Sequence, residues 1–307
     1  MKNHVGLLAQ PEKTMVNKSI VILIIAVILT SCGSDTNKNE AAAIDTTSSS
    51  ANSKELMKAQ QILYTLPSPV EAAALMKLSG ATFDLSTLNP TANVSKYTSN
   101  ESKSLNLGVY GTDLVYANIF EQTQESADYF KCANTLATAL GINNAFGENT
   151  FQRVKANMQN RDSLMAIIAE ASLEADAYFK ENERPAASAL VAVGGWIEGL
   201  YIATTIANKT KNGEIIQRVA EQKNSINNLI GLVESFGSEK GLSPVLGDLK
   251  EIKLLFDALE VKKGTTSKPV GNDRTPTIGV SKHIEMTPEQ LKAISEKVGS
   301  IRNKIIK

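Results

Sequence analysis

The chain has 307 residues, with 32 basic and 32 acidic side chains and two histidines. This balance excludes the strongly basic surface of a nucleic-acid-binding protein, and no cluster of Lys and Arg with interleaved aromatics is present. The scarcity of histidine excludes multi-histidine metal sites, and we expect no metal and no other cofactor.

The N-terminal segment has the pattern of a bacterial lipoprotein signal. Lys18 precedes a short apolar run at 20–29, and the sequence LTSC at 29–32 resembles a lipobox. The run is too short to span about 30 Å of hydrocarbon. The pattern therefore predicts a signal peptide at 1–31 and a lipid on Cys32. A plain signal peptide or an uncleaved anchor is the alternative.

The predicted mature protein is a tethered body. Met1 or Met15 is the start, and cleavage leaves a formal charge of −2. Cys32 and the small polar residues that follow it, 32–52 in all, predict a flexible linker. Residues 53–307 are predicted to form one domain. The residue after Cys32 is Gly33, not the acid that favours inner-membrane retention in some bacteria. We therefore expect the outer membrane, on its periplasmic or surface face.

The body has helical periodicity almost throughout, and we predict an all-α antiparallel bundle. The Ser68-Pro69-Val70-Glu71 and Thr287-Pro288-Glu289-Gln290 sequences are helix starts with capping-box chemistry. The segment at 148–181 carries a second candidate break near Asn160. The predicted helices are 54–65, 69–79, 101–121, 123–140, 148–181, 185–208, 213–236, 244–262 and 288–305.

A long loop at 264–286 precedes the final helix, with a short hairpin predicted around Thr277-Ile278-Gly279-Val280. The only histidine of the mature chain, His283, lies in this loop and is expected to be exposed. Cys132 is the only cysteine left after Cys32 is lipidated, so no intrachain disulfide is possible. Its helical setting predicts a buried side chain.

The segment 186–207 carries one charge in 22 residues, that of Glu198. It has the length of a membrane span, but a central acid would cost about 2.5–3.5 kcal/mol on insertion scales. Much of the segment is Ala, Gly, Thr and Ser. We predict a core helix that other helices bury on all sides.

Two apolar helices share one pattern. Asp113 precedes Tyr116 by three residues, and Glu198 precedes Tyr201 in the same way, 85 residues later. The sequence Gln-Arg-Val follows at Arg153 and again 65 residues later at Arg218. We predict a duplicated helical hairpin, with 101–181 as the first unit and 185–237 as the second.

The two acids are the candidate site, because a carboxylate in an apolar helix needs a partner or takes up a proton. One interpretation is structural, with Arg153 and Arg218 as the pairing cations. The other is a small-ligand site between the two units, lined by Asp113, Glu198, Tyr116, Tyr201 and Trp196. Acid–base chemistry by the two carboxylates is a third possibility.

The stretches LNLGVYGTDLVYANIFEQTQ (105–124) and GGWIEGLYIATTIA (194–207) resemble a family of uncharacterised helical lipoproteins of Gram-negative bacteria. The resemblance implies an all-helical fold and a place in the cell envelope, and it implies no activity and no catalytic residue. We therefore expect a binding or scaffolding module with an envelope protein as partner. The alternative is a ligand-binding or hydrolytic protein that uses the two acids.

Overall fold

The computed structural model describes residues 77, 80–142, 145, 149–236, 241–263 and 282–307. Eight α-helices lie within these residues: α1 Asn100–Ile119, α2 Thr123–Ala139, α3 Thr150–Ala156, α4 Arg161–Glu181, α5 Pro185–Thr210, α6 Gly213–Glu234, α7 Leu242–Asp257 and α8 Pro288–Ile305. Short 3-10 helices at Leu85–Thr87 and Thr91–Lys96 precede α1. The predicted lipoprotein signal, the predicted linker, the predicted helix at 54–65 and the predicted hairpin at 277–280 lie outside the described residues. The same is true of the predicted helix at 69–79, except for residue 77.

The all-α prediction is confirmed, and the predicted helix ends are close to the observed ones. The segment 148–181 breaks at Asn160, whose side chain caps α4 by accepting a hydrogen bond from the Ser163 amide. The predicted helix at 244–262 is too long, because α7 ends at Asp257 and a strand begins at Val261. That strand, β1 (Val261–Lys263), pairs antiparallel with β2 (Lys282–Ile284).

Helix α5 lies at the centre of the fold. It packs against α1, α6 and α8. It is long and apolar enough to cross a membrane, but 61% of its most apolar window is buried within the fold. Its apolar composition is therefore explained by the surrounding helices, as expected for a core helix.

Helices α1 and α5 approach each other through glycines. A methyl group at Gly194 would lie 1.9 Å from the Leu105 carbonyl oxygen, and one at Gly108 would lie 2.0 Å from the Val191 carbonyl oxygen. These backbones are in contact with no side chain between them. The contacts advance from Leu105 beside Gly194 to Thr112 beside Gly199, so this pair of helices is parallel.

Helix α8 is antiparallel to both α7 and α5. Helix α8 lies along α7, with Lys297 bound to Glu251 and Lys304 to Asp248. It also lies along α5, where Gly299 contacts Tyr201. The apolar face of α8 is buried and consists of Leu291, Ile294, Val298 and Ile301.

The predicted duplication does not extend to the helices that carry Gln-Arg-Val. Helix α3, with Arg153, has seven residues and packs on α4, where Val154 joins a small separate cluster. Helix α6, with Arg218, has 22 residues and packs along α5. The two settings are unrelated, so the match at these positions reflects helical periodicity.

The predicted capping box at the start of α8 is present. Thr287 Oγ1 accepts from the Gln290 amide at 3.2 Å, and Gln290 Oε1 accepts from the Thr287 amide at 2.9 Å. We expect Thr287→Ala to lower the free energy of unfolding by about 1 kcal/mol, because α8 loses one capping bond. Urea denaturation measures this, and a loss below about 0.3 kcal/mol would contradict it.

Candidate functional site

The two acids singled out in the sequence lie side by side in the core. Asp113 on α1 and Glu198 on α5 both have 0% exposure. The parallel packing of the two helices places them there, since Thr112 and Gly199, the residues next to them, are in contact.

The cation that faces Glu198 is Arg302 of α8. Its Nε donates to Glu198 Oε2 at 2.9 Å and its Nη2 donates to Glu198 Oε1 at 2.8 Å. Arg302 Nη2 also donates to the Thr87 carbonyl at 3.1 Å, and the guanidinium lies 4.5 Å from the centre of the Tyr201 ring. Only 5% of Arg302 is exposed. This is a buried bidentate ion pair, in which two parallel hydrogen bonds join the guanidinium to the carboxylate.

Asp113 has a different environment from Glu198. Its Oδ2 accepts from the Asn89 amide at 3.2 Å, and its buried Oδ1 has no donor facing it. Burial raises the pKa of Asp113 well above its ordinary value, and the negative charge of Glu198 raises it further. The Glu198 carboxylate lies within hydrogen-bonding reach of Asp113. Two carboxyl oxygens this close are stable when one carries a proton.

The charges of the cluster therefore balance. Arg302 pairs with Glu198, and the raised pKa of Asp113 favours its protonated form, which can donate a hydrogen bond to Glu198. Burial raises the pKa of Glu198, and the two hydrogen bonds from the Arg302 guanidinium oppose this rise. A cluster with one cation, one anion and one neutral acid has no net charge. Burying it therefore carries a smaller desolvation cost than burying a cluster with an excess charge.

A polar network extends from the cluster to the end of α8. Asn106 Nδ2 donates to the Ile305 carbonyl at 2.9 Å, and Tyr97 Oη donates to the Ile306 carbonyl at 3.2 Å. Asn89 donates to Tyr97 Oη at 3.0 Å. These bonds satisfy carbonyls that have no partner within the helix at its C-terminus, and they attach α8 to the residues around α1.

Of the three predicted aromatic residues, Tyr201 joins the cluster and the other two have partners elsewhere. Tyr116 stacks on Phe83, with 5.4 Å between ring centres. Trp196 Nε1 donates to Gln222 Oε1 at 3.1 Å. The predicted ligand site lined by all five residues is thus not assembled, because Tyr116 and Trp196 are held by other contacts.

The predicted pairing of the acids with Arg153 and Arg218 is wrong. Arg153 binds Glu170 at 2.7 Å and Arg218 binds Glu221 at 2.7 Å, both at the surface. Both arginines lie on the solvent-facing sides of their helices, and the short α3 does not place Arg153 toward the core. Such exposed pairs contribute little to stability.

The remaining candidate residues lie apart from the cluster's chemistry. Cys132 is buried, and burial raises its pKa to about 11, so the thiol is not a nucleophile at neutral pH. His283 is exposed on β2. Among the residues that the structure describes, no three His, Cys, Asp or Glu side chains are grouped so as to hold a metal ion.

Sequence reasoning missed Arg302, Asn89 and Thr87. A signal for Arg302 is present, because it lies four residues after Val298 on the apolar side of α8, where a solvent-facing cation is not expected. Thr87 is the last residue of a short 3-10 helix, and Asn89 lies just after it. Such a short element has no periodic sequence pattern that would indicate a buried residue.

Both acids of the cluster are fully buried, and the Arg302 guanidinium is bonded to Glu198 and Thr87 and lies over the Tyr201 ring. Acid–base catalysis requires a reacting group within hydrogen-bond reach of the acid or base. In this structure the two acids accept hydrogen bonds from the protein's own Asn89 and Arg302.

Comparison with known proteins places no further constraint on this site. No protein-family model matches the chain, and neither the curated proteins nor the solved structures contain a significant match.

Proposed function

We propose that this protein is an envelope lipoprotein whose helical body acts as a binding or scaffolding module. The sequence features that support the anchor are the lipobox-like LTSC at 29–32 and the small polar linker that follows. Such a linker holds the body away from the membrane, where it is free to meet another envelope component.

One observation carries the non-catalytic part of this proposal. The two acids were the strongest candidates for chemistry in the sequence, and both are sealed, with Glu198 bound through two bonds to Arg302. Residues that serve catalysis are held in clefts that admit a substrate. The polar residues at this site instead connect α1, α5 and α8, which is a structural task.

The anchor is tested by Cys32→Ser. We expect the wild-type protein in the membrane fraction and the variant in the soluble fraction or unprocessed, because the thiol of Cys32 would carry the lipid. Cys132→Ser is the matched control, since that cysteine lies in the core of the domain. Immunoblots of fractionated cells and mass spectrometry of the N-terminus are the measurements.

An unlipidated N-terminus, together with the same detergent partitioning for wild type and Cys32→Ser, would overturn the anchor. An N-terminus at Cys32 that carries acyl chains would support it.

A further inference from the structure

Helix α8 is the last element of the chain, and one charged side chain from it enters the core. Its apolar face packs against α5 and α7, and its ion pairs with α7 lie at the surface. Arg302 is the exception, because it reaches past Tyr201 to Glu198 at 2.8 Å and 2.9 Å. The charge state of the cluster is therefore a property of the interface between α8 and the rest of the fold.

That interface holds two carboxyl groups and one guanidinium. With one proton on Asp113 the cluster is neutral, as described above. Without that proton, two carboxylates share one cation in a site that water does not reach, and Asp113 Oδ1 has no donor of its own. Water can relieve this excess charge only if an element moves away, and α8 is the element that covers the acids with its Arg302 side chain.

We propose that α8 is a proton-dependent latch, closed while Asp113 shares its proton with Glu198 across the Arg302 interface and released when that proton is lost. The latch is a property of the helical body and does not depend on the membrane anchor.

The direction of the pH effect follows from the raised pKa of Asp113. In the released form water reaches this carboxyl, so its pKa is lower than in the closed form. Between that value and its raised pKa, the closed form holds one proton more than the open form. The closed form is thus favoured at low pH, and the open population rises about tenfold per pH unit until the pKa of the closed form is passed.

Several neutral groups around the cluster have pKa values that burial raises, so they stay neutral in this range. Burial raises the pKa of Tyr97, before α1, of Tyr110 on α1 and of Tyr129 on α2. The remaining groups facing the cluster are Cys132 of α2, whose pKa burial raises to about 11, Tyr201 and Glu198 of α5, and Arg302 of α8. The Arg302 guanidinium bonds Glu198 and not Asp113, so the proton of this pair of acids is favoured on Asp113.

Hydrogen exchange of the full-length chain in mild detergent tests the latch. The quantity is the protection factor, the intrinsic exchange rate divided by the observed rate at the same pH, for peptides within 288–305 between pH 5 and pH 9. We expect protection of α8 to fall about tenfold per pH unit over part of this range. Protection of α2 should fall less, because its packing on α1 does not involve Arg302.

Asp113→Asn supplies the decisive comparison. The amide can accept from Asn89 and donate to Glu198, so it imitates the protonated acid and should give α8 protection that does not change with pH. Asp128→Asn, at an exposed position on α2, should retain the wild-type profile. A flat wild-type profile, an equal fall in α8 and α2, or the same fall in Asp113→Asn would each overturn the latch. If Asp113→Asn folds poorly, the pH profile of α8 and α2 protection in the wild-type protein still tests the latch.

Discussion

Replacing Arg302 by methionine should lower the free energy of unfolding by about 3–5 kcal/mol. The side chain is 5% exposed and pairs with a carboxylate that is fully buried. Methionine fills a similar volume but leaves Glu198 without its cation and the Thr87 carbonyl without its donor. The measurement is urea denaturation of the full-length protein at pH 7, followed by circular dichroism.

Lys304→Met is the matched control. Lys304 lies two residues further along the same helix and also pairs with an acid, Asp248 at 2.7 Å, but its side chain is 59% exposed. Exposed pairs contribute about 0–1 kcal/mol, so this variant should lose no more than that. Equal losses in the two variants would show that the buried Arg302 ion pair contributes no more to stability than the exposed Lys304 ion pair.

Gly194→Ala should be the most damaging small substitution, with a loss of about 3 kcal/mol. The added methyl group would lie 1.9 Å from the Leu105 carbonyl oxygen, and the obstacle is backbone, so no rotamer change can remove it. Helices α1 and α5 must then separate, which disturbs the contact that holds Asp113 beside Glu198. Overpacking a well-filled core costs about 1–3 kcal/mol, and a backbone clash belongs at the upper end.

Gly111→Ala is the control for this substitution. Gly111 lies on α1 as well, and a methyl group there would meet nothing within 4 Å. Alanine is favoured over glycine inside a helix by up to about 1 kcal/mol, so this variant should be neutral or more stable. Thermal melts of both variants suffice. A Gly194→Ala protein as stable as wild type would show that α1 and α5 are not in backbone contact.

The fold could be predicted to the extent that it depends on local patterns. Apolar periodicity, the Asn160 break and the Thr287 capping box are properties of neighbouring residues, and these features agree with the structure. The parallel contact of α1 and α5 depends on residues more than 80 positions apart, such as Leu105 and Gly194. Helix periodicity carries no information on the relative direction of two helices.

The candidate site could be predicted in part for the same reason. A lone acid in an apolar helix is conspicuous, so Asp113 and Glu198 were found from their surroundings in sequence. Their cation was sought at the positions that a duplication would supply, whereas Arg302 lies 104 residues from Glu198 on a helix outside both predicted units. Which of the two acids holds the proton depends on which of them faces the guanidinium. The position of the guanidinium is known only from the three-dimensional structure.

A double-mutant cycle between Glu198 and Arg302 tests the structural role of the cluster most directly. The variants are Glu198→Gln, Arg302→Met and the combination, each measured by urea denaturation at pH 7. We expect the combination to lose far less than the sum of the two single losses, with a coupling energy of about 2–3 kcal/mol, because the double variant leaves no unpaired charge in the core. Losses that add to within about 0.5 kcal/mol would contradict a buried ion pair between α5 and α8.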